Sequence, residues 1–386
     1  MIASKYLIGI GIGVFLFGSV KAQENYKDKD TELVFKNKQV HEVLQVNVDE
    51  VKFKKKPKNI VLLIGDGMGV DHIFAGITAN KGQLNLQNFK SIGFSKTQSA
   101  DDYVTDSAAG GTALACGKKT SNGSIGVDEN GNTLKSILEI ADANGLATGL
   151  VSTSAITHAT PASFIAHQPK RSMYEEIAAD FLKTDIDVFI GGGNSFFTDR
   201  KDKRNLVSEL KEKGYQMYTD LDAAANVNEG HLGVLTAPEH NPEYTQRGDM
   251  LLKASDKALE ILSKDKDGFF LMIEGSQIDW GAHQNNVSFL TGEVLDFDTV
   301  IGEVLKFALE DKETLVIVTA DHETGGFAVV GGDINKGKVE GGFVTGHHTG
   351  CMVPVFAVGP GASEFGGIYE NTEVFNKMLK LYGFTK

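Results

Sequence analysis

The chain is poor in cysteine, proline and tryptophan, with 2, 7 and 1 respectively, and its 38 Lys+Arg are outnumbered by 51 Asp+Glu. Two thiols among 386 residues cannot form a disulfide framework, which excludes a stapled mini-protein; Cys116 and Cys351 read either as a single pair or as small buried hydrophobes. A net charge of −13 excludes a general nucleic-acid or anionic-membrane binder, because the long-range field repels polyanions. A local cationic site stays compatible with it. Long apolar runs are also missing: the stretch at 6–17 falls well short of the about 20 residues that a spanning helix needs.

What is present is 41% apolar residues, enough for a substantial core, and 44 glycines, which predict many tight turns or close backbone approaches. Residues 1–22 have the layout of a secretory signal, with Lys5, the apolar stretch and Val20-Lys21-Ala22 before a polar segment. Cleavage is expected after Ala22, giving an exported protein, periplasmic or secreted. Gln23, not a cysteine, stands directly after that point, so neither a lipid nor a membrane anchor is expected. Residues 23–57 read as an N-terminal arm with one edge strand at 43–51, and 58–386 as a single domain with small insertions.

Apolar runs without alternation recur at 59–64, 146–151, 187–190, 269–273, 315–319 and 353–358, the pattern of strands buried on both faces. Helical patterns lie between them at 133–143, 174–182, 205–213, 247–262 and 293–309. The segment 220–243 reads as surface loop or a small insertion. Strands alternating with helices predict an α/β fold, a central, mostly parallel sheet with helices on both faces. In such sheets ligands bind outside the carboxyl ends of the strands.

The chemistry-bearing residues fall at those ends. The first run leads into Gly65-Asp66-Gly67-Met68-Gly69, which lacks dinucleotide-loop spacing and sets a carboxylate where a cation is better suited than a pyrophosphate. The run at 315–319 leads into Ala320-Asp321-His322. Together Asp66, Asp321 and His322 form an oxygen and nitrogen set that suits zinc. The run at 269–273 leads to Glu274, Asp279 and His283, the last two four residues apart and so on one face of a helical turn. With His348 they make a second three-ligand set with an open position, the form of catalytic zinc. In Asp106-Ser107-Ala108-Ala109-Gly110-Gly111-Thr112 a hydroxyl opens a helix of small residues, where the helix dipole favours an anion.

From about Lys58 to Gly361 the chain resembles the alkaline phosphatases. Five further blocks accompany the Val104–Thr112 signature in family order: Ile64–Gly69, Thr160-Pro161-Ala162, Glu274 with Asp279 and His283, Thr319–His322, and His348-Thr349-Gly350. The resemblance implies phosphate-monoester hydrolysis through a phosphoserine on Ser107, with broad leaving-group specificity. It implies two Zn2+ held by the two sets above and one Mg2+ held by Asp66, Thr160 and Glu274. Arg171 lies where the family has its phosphate-clamping arginine. His158 stands near the magnesium site, where some relatives carry aspartate, and Trp280 where some carry a phosphate-contacting lysine. A homodimer is implied as well. The readings that compete with it are a two-zinc phosphodiesterase or mutase of the same superfamily, and a non-catalytic exported metal- or phosphate-binding protein.

Overall fold

The computed structural model describes residues 32–385. The expected signal at 1–22 and the first part of the arm lie outside the described residues. In chain order the strands are β1 (Val34–Lys36), β2 (Asn59–Gly65), β3 (Ser91–Lys96), β4 (Ala147–Ala155), β5 (Val188–Gly192), β6 (Gln216–Tyr218), β7 (Leu232–Leu235), β8 (Phe269–Gly275), β9 (Thr314–Thr319), β10 (Glu323–Thr324), β11 (Ala328–Asp333), β12 (Lys338–Gly342), β13 (His348–Thr349), β14 (Val353–Val358) and β15 (Gly367–Glu370). One 10-stranded sheet runs β15-β3-β14-β9-β2-β8-β4-β5-β7-β6. From β9 to β6 every neighbouring pair is parallel, whereas β14 is antiparallel to both β9 and β3.

The sheet separates two cores. Along β2, Val61 and Leu63 point into one, with Val294 and Leu305 from the helix Val287–Asp311. Ile60, Leu62 and Ile64 point into the other, with Leu114 from the helix Ser107–Cys116 and Phe375 from the helix Thr372–Tyr382. All five β2 side chains are fully buried, each contributing roughly 1.5–3 kcal/mol of hydrophobic stabilisation. This two-sided burial produces the uninterrupted apolar runs, since no strand face is left for polar residues.

The expected α/β architecture is present, with local differences. The segment 43–51 is not a strand: Asn47 accepts a hydrogen bond from the Asp49 N–H and donates to Glu50, closing a 3-10 turn at Val48–Glu50. The arm's strand is β1 instead, paired antiparallel with β12. The helix expected from 133 begins at Ile137, where Ser136 and Glu139 form a reciprocal capping box. The helix expected at 293–309 extends over Val287–Asp311, capped by Asn286. The segment 220–243 is not all loop, because it contains the buried strand β7. Cys116 is buried and Cys351 is exposed.

Candidate active site

Sheet register brings the carboxylates together. Ile64 of β2 lies level with Thr319 of β9 and Glu274 of β8, and Glu274 is level with Ser152 of β4. Asp66, Glu274, Asp321 and His322 therefore crowd one carboxyl edge, all fully buried. Gly67 has φ +71, and a Cβ there would lie 2.7 Å from Thr324 Oγ1 and 3.0 Å from Asp279 Cα. Only glycine lets this loop enter the site. The helix Gln277–His283 supplies Asp279 and His283, and the antiparallel pairing of β10 with β13 sets His348 opposite Thr324.

The second expected set is assembled with defined tautomers. His283 Nδ1 lies 2.8 Å from the Gly346 carbonyl and His348 Nδ1 lies 2.9 Å from the Thr105 carbonyl. Each Nδ1–H donates to its carbonyl, so each ring turns its Nε2 inward. The two Nε2 atoms stand 3.1 Å apart, with Asp279 Oδ1 at 3.3 and 3.5 Å. Facing lone pairs repel unless a cation lies among them.

The first expected set is equally close: His322 Nε2 is 3.3 Å from Asp66 Oδ1 and 3.3 Å from Asp321 Oδ2. Asp279 stands between the sets, within 4.8 Å of ligand atoms of Asp66 and His322. At the third position, ligand atoms of Asp66, Glu274 and His158 lie within 4.8 Å of one another, so the structure places His158 as near as the carboxylates. Thr160 lies fully buried on the adjoining helix Ala159–Ala162. Both Asp66 oxygens, Asp321 Oδ2, Glu274 Oε1 and Thr160 Oγ1 are buried without a hydrogen bond. An unpaired buried oxygen costs roughly 1–3 kcal/mol, more when charged, so this donor set fits cations.

The electrostatics carry the same strain. Burial, then the charges of Asp321, Asp279 and Glu274, pushes the Asp66 carboxyl well up. Burial and Asp279 push Asp321 up to about 7. Burial also pushes Asp279 upward, but His283 and His348 outweigh it and hold that carboxyl well below the usual range. Burial, then His348, keeps the His322 imidazole well below its ordinary value, hence neutral and fit to ligate.

Ser107 is the first residue of its helix, and its Oγ lies 3.2 Å from His322 Nε2. The preceding Asp106 caps that helix through Oδ1, accepting from the Ala109 N–H. Its other oxygen accepts from the Gly123 N–H and from Arg171 Nη1 at 3.1 Å. Arg171 Nη2 reaches His158 Nε2 at 3.2 Å. The guanidinium charge acts on Asp66, His283 and His322. The Trp280 ring packs edge-on against His158 at 6.0 Å and His240 at 4.9 Å.

A family model described as alkaline phosphatase matches residues 57–341, well over half of the chain. The chain belongs to the alkaline phosphatase family. Alkaline phosphatase 4 of Bacillus subtilis is 35% identical over 417 residues, covering 85% of this chain and 89% of that protein. The solved alkaline phosphatase of the Antarctic bacterium TAB5 is 46% identical, with a TM-score of 0.82, covering 87% of this chain and 100% of that one. Two variants of the TAB5 enzyme, a histidine replaced by glutamate or aspartate, are solved with Mg bound in the M3 site; each is 45% identical to this chain, with the same coverage and TM-score. The reaction class is therefore that of a phosphomonoester hydrolase.

The site's contacts link Asp66, Ser107, His158, Arg171, Glu274, Asp279, Trp280, His283, Asp321, His322 and His348, and Thr160 lies on the helix that follows His158. Sequence reading missed three contributions. Asp106 holds Arg171 as well as capping the helix, although an Asp-Ser pair reads as an N-cap alone. His240, its Nδ1 accepting from the Ala155 N–H at 3.0 Å, comes from the segment read as insertion. Ser152, Ser154 and Ser276 gather around Glu274; their signal was the polar Ser152-Thr153-Ser154 inside a buried strand.

Proposed function

We propose that the chain hydrolyses phosphate monoesters to an alcohol and inorganic phosphate through a phosphoserine intermediate on Ser107. The observation that carries this reading is a buried hydroxyl 3.2 Å from His322 Nε2, at the edge of facing carboxylate and imidazole lone pairs. Two zinc ions would be held by Asp279, His283 and His348 and by Asp66, Asp321 and His322. A third cation, magnesium, would be held by Asp66, Thr160 and Glu274 beside His158. When bound, these cations supply positive charge against the attacking and departing oxygens.

The chain's own residues do the rest. Ser107 Oγ attacks phosphorus in line, displacing the alcohol, and water later cleaves the seryl ester. Arg171 offers a planar fork to two non-transferred oxygens, and Asp106 holds that fork beside the nucleophile. The positive end of the Ser107–Cys116 helix dipole faces the same oxygens. Trp280 is a further phosphate contact through its indole N–H. Recognition of the phosphoryl group leaves the alcohol loosely specified, so many monoesters are substrates. Diesters are poor, because one oxygen that Arg171 would grip is esterified.

Ser107→Ala tests the reading, with p-nitrophenyl phosphate and its bis ester as substrates. Turnover of the monoester is expected to fall at least about a thousandfold with metal content retained; unchanged turnover removes Ser107 from the mechanism. We also propose that the protein is exported and forms a homodimer. Among the described residues no helix is long and apolar enough to cross a membrane. N-terminal sequencing of the exported protein and its mass in solution check both.

A further inference from the structure

We infer that Ser152, Ser154 and Ser276 are positioning residues that fix the aim of Glu274 at the third cation site. This rests on the phosphomonoesterase reading above. Glu274 and the three serines are all fully buried. Glu274 Oε2 lies 2.6 Å from Ser152 Oγ, 2.6 Å from Ser276 Oγ and 3.5 Å from Ser154 Oγ. Ser152 Oγ is in turn 2.8 Å from Ser154 Oγ and 3.0 Å from Ser276 Oγ.

Proton counting decides the directions. The single Ser154 N–H lies 3.1 Å from both Ser152 Oγ and Ser276 Oγ and is shared between them. Each hydroxyl has one proton to donate, and Oε2 lies at 2.6 Å from both. Ser154 Oγ is 3.1 Å from the Ala155 carbonyl and completes the cluster from the third side. Two hydroxyl donors thus converge on one carboxylate oxygen.

Oε2 is thereby saturated, whereas Oε1 makes no hydrogen bond. A carboxylate free at both oxygens can chelate a large ion; one pinned at Oε2 can give a single oxygen. Single-oxygen carboxylate ligation suits a small octahedral cation such as magnesium better than a wide, flexible coordination sphere. The serines thus act on the cation through Glu274 without touching it, as outer partners of metal ligands commonly do.

The test uses zinc-loaded holoenzyme titrated with Mn2+, followed by electron paramagnetic resonance, with Mg2+ as competitor. Ser152→Ala and Ser276→Ala are each expected to weaken Mn2+ binding roughly tenfold, and the double variant up to about a hundredfold. Zinc content and melting temperature should stay at wild-type values, and Ser276→Thr, which keeps the hydroxyl, should restore binding. Wild-type Mn2+ affinity in either single variant overturns the inference. Loss of zinc in step with Mn2+ also overturns it, because that reports a structural role. Glu274→Gln separates the two readings. If it leaves Mn2+ binding intact, the third site itself is misplaced. If it abolishes binding while both serine variants bind normally, only the serine inference fails.

Discussion

Stripping the cations should make stability pH-dependent through the buried carboxyls, and Asp321 is one whose share can be isolated by substitution. Asp321 is fully buried beside Asp279 and Asp66, and its pKa stands at about 7 against an ordinary 3.8. The folded chain therefore binds more protons than the unfolded chain between those values, so stability falls as pH rises through them and is level above. A shift of about three units at roughly 1.4 kcal/mol each is worth about 4 kcal/mol, of which about 3 kcal/mol falls between pH 5 and pH 8. Asp321→Asn removes that titration and relieves Asp66 of a like charge, which acts in the same direction. The assay is scanning calorimetry of wild type and Asp321→Asn at pH 5 and pH 8, each metal-stripped and metal-loaded. At roughly 1–2 °C per kcal/mol for a chain this long, the stripped wild type should lose about 3–5 °C relative to the variant between those pH values. In the loaded form the relation reverses, because the ionised carboxylate is then paired and the variant has lost a ligand. Parallel melting of the two stripped proteins across this range would refute the electrostatic account of the site.

Three further outcomes follow from single contacts. Arg171→Ala should raise the inhibition constant for inorganic phosphate about 10- to 100-fold, the value of a charge-assisted fork; Asp106→Asn, which keeps a good helix cap, should raise it less, and an unaltered constant in both removes the clamp. His158→Asp should tighten the third cation and favour Mg2+, since a carboxylate is a harder ligand than imidazole, with metal analysis of the purified protein as the readout. Arg247 lies nearly fully buried against Glu293 and Asp296, at 2.5 and 2.6 Å. Arg247→Met leaves Glu293 uncompensated and should cost about 3–5 kcal/mol in denaturant unfolding, part of which Glu293→Gln should restore.

The central strands were legible because burial on two faces erases alternation, as in β2 and β9, where every residue is buried. β6 and β15 were not, being short edge strands with exposed positions whose pairing comes from tertiary context. The antiparallel setting of β14 carries no sequence signal, since its six residues read like any buried strand. At the site, Asp66, Asp321, His322 and Glu274 were legible because they sit at or just beyond strand ends. Ser152 and Ser154 were not, because a hydroxyl inside a buried strand is interpretable only once its acceptor is located. Asp106 was half legible: its cap is local, whereas its bond to Arg171 spans 65 residues.

The register of three neighbouring strands accounts for why this edge is reactive. β9, β2 and β8 are in parallel register, so Asp321 and Asp66, each two residues past the level pair Thr319 and Ile64, come out side by side, with Glu274 just inside them, level with Ile64. Adjacent strands lie only about 4.8 Å apart, and like charges at that spacing in a buried site repel strongly. The strands cannot splay to relieve this, because Val61 and Leu63 on one face and Ile60, Leu62 and Ile64 on the other lock the sheet between its two cores. The stabilisation stored in the two cores holds the carboxylates where they are unstable alone. Asp66, whose two oxygens accept no hydrogen bond, stands between His322 on one side and Glu274 with His158 on the other. A cation on either side lowers the cost of ionising Asp66 for the other. The first and third sites should therefore fill cooperatively, with Asp66 as the coupling residue.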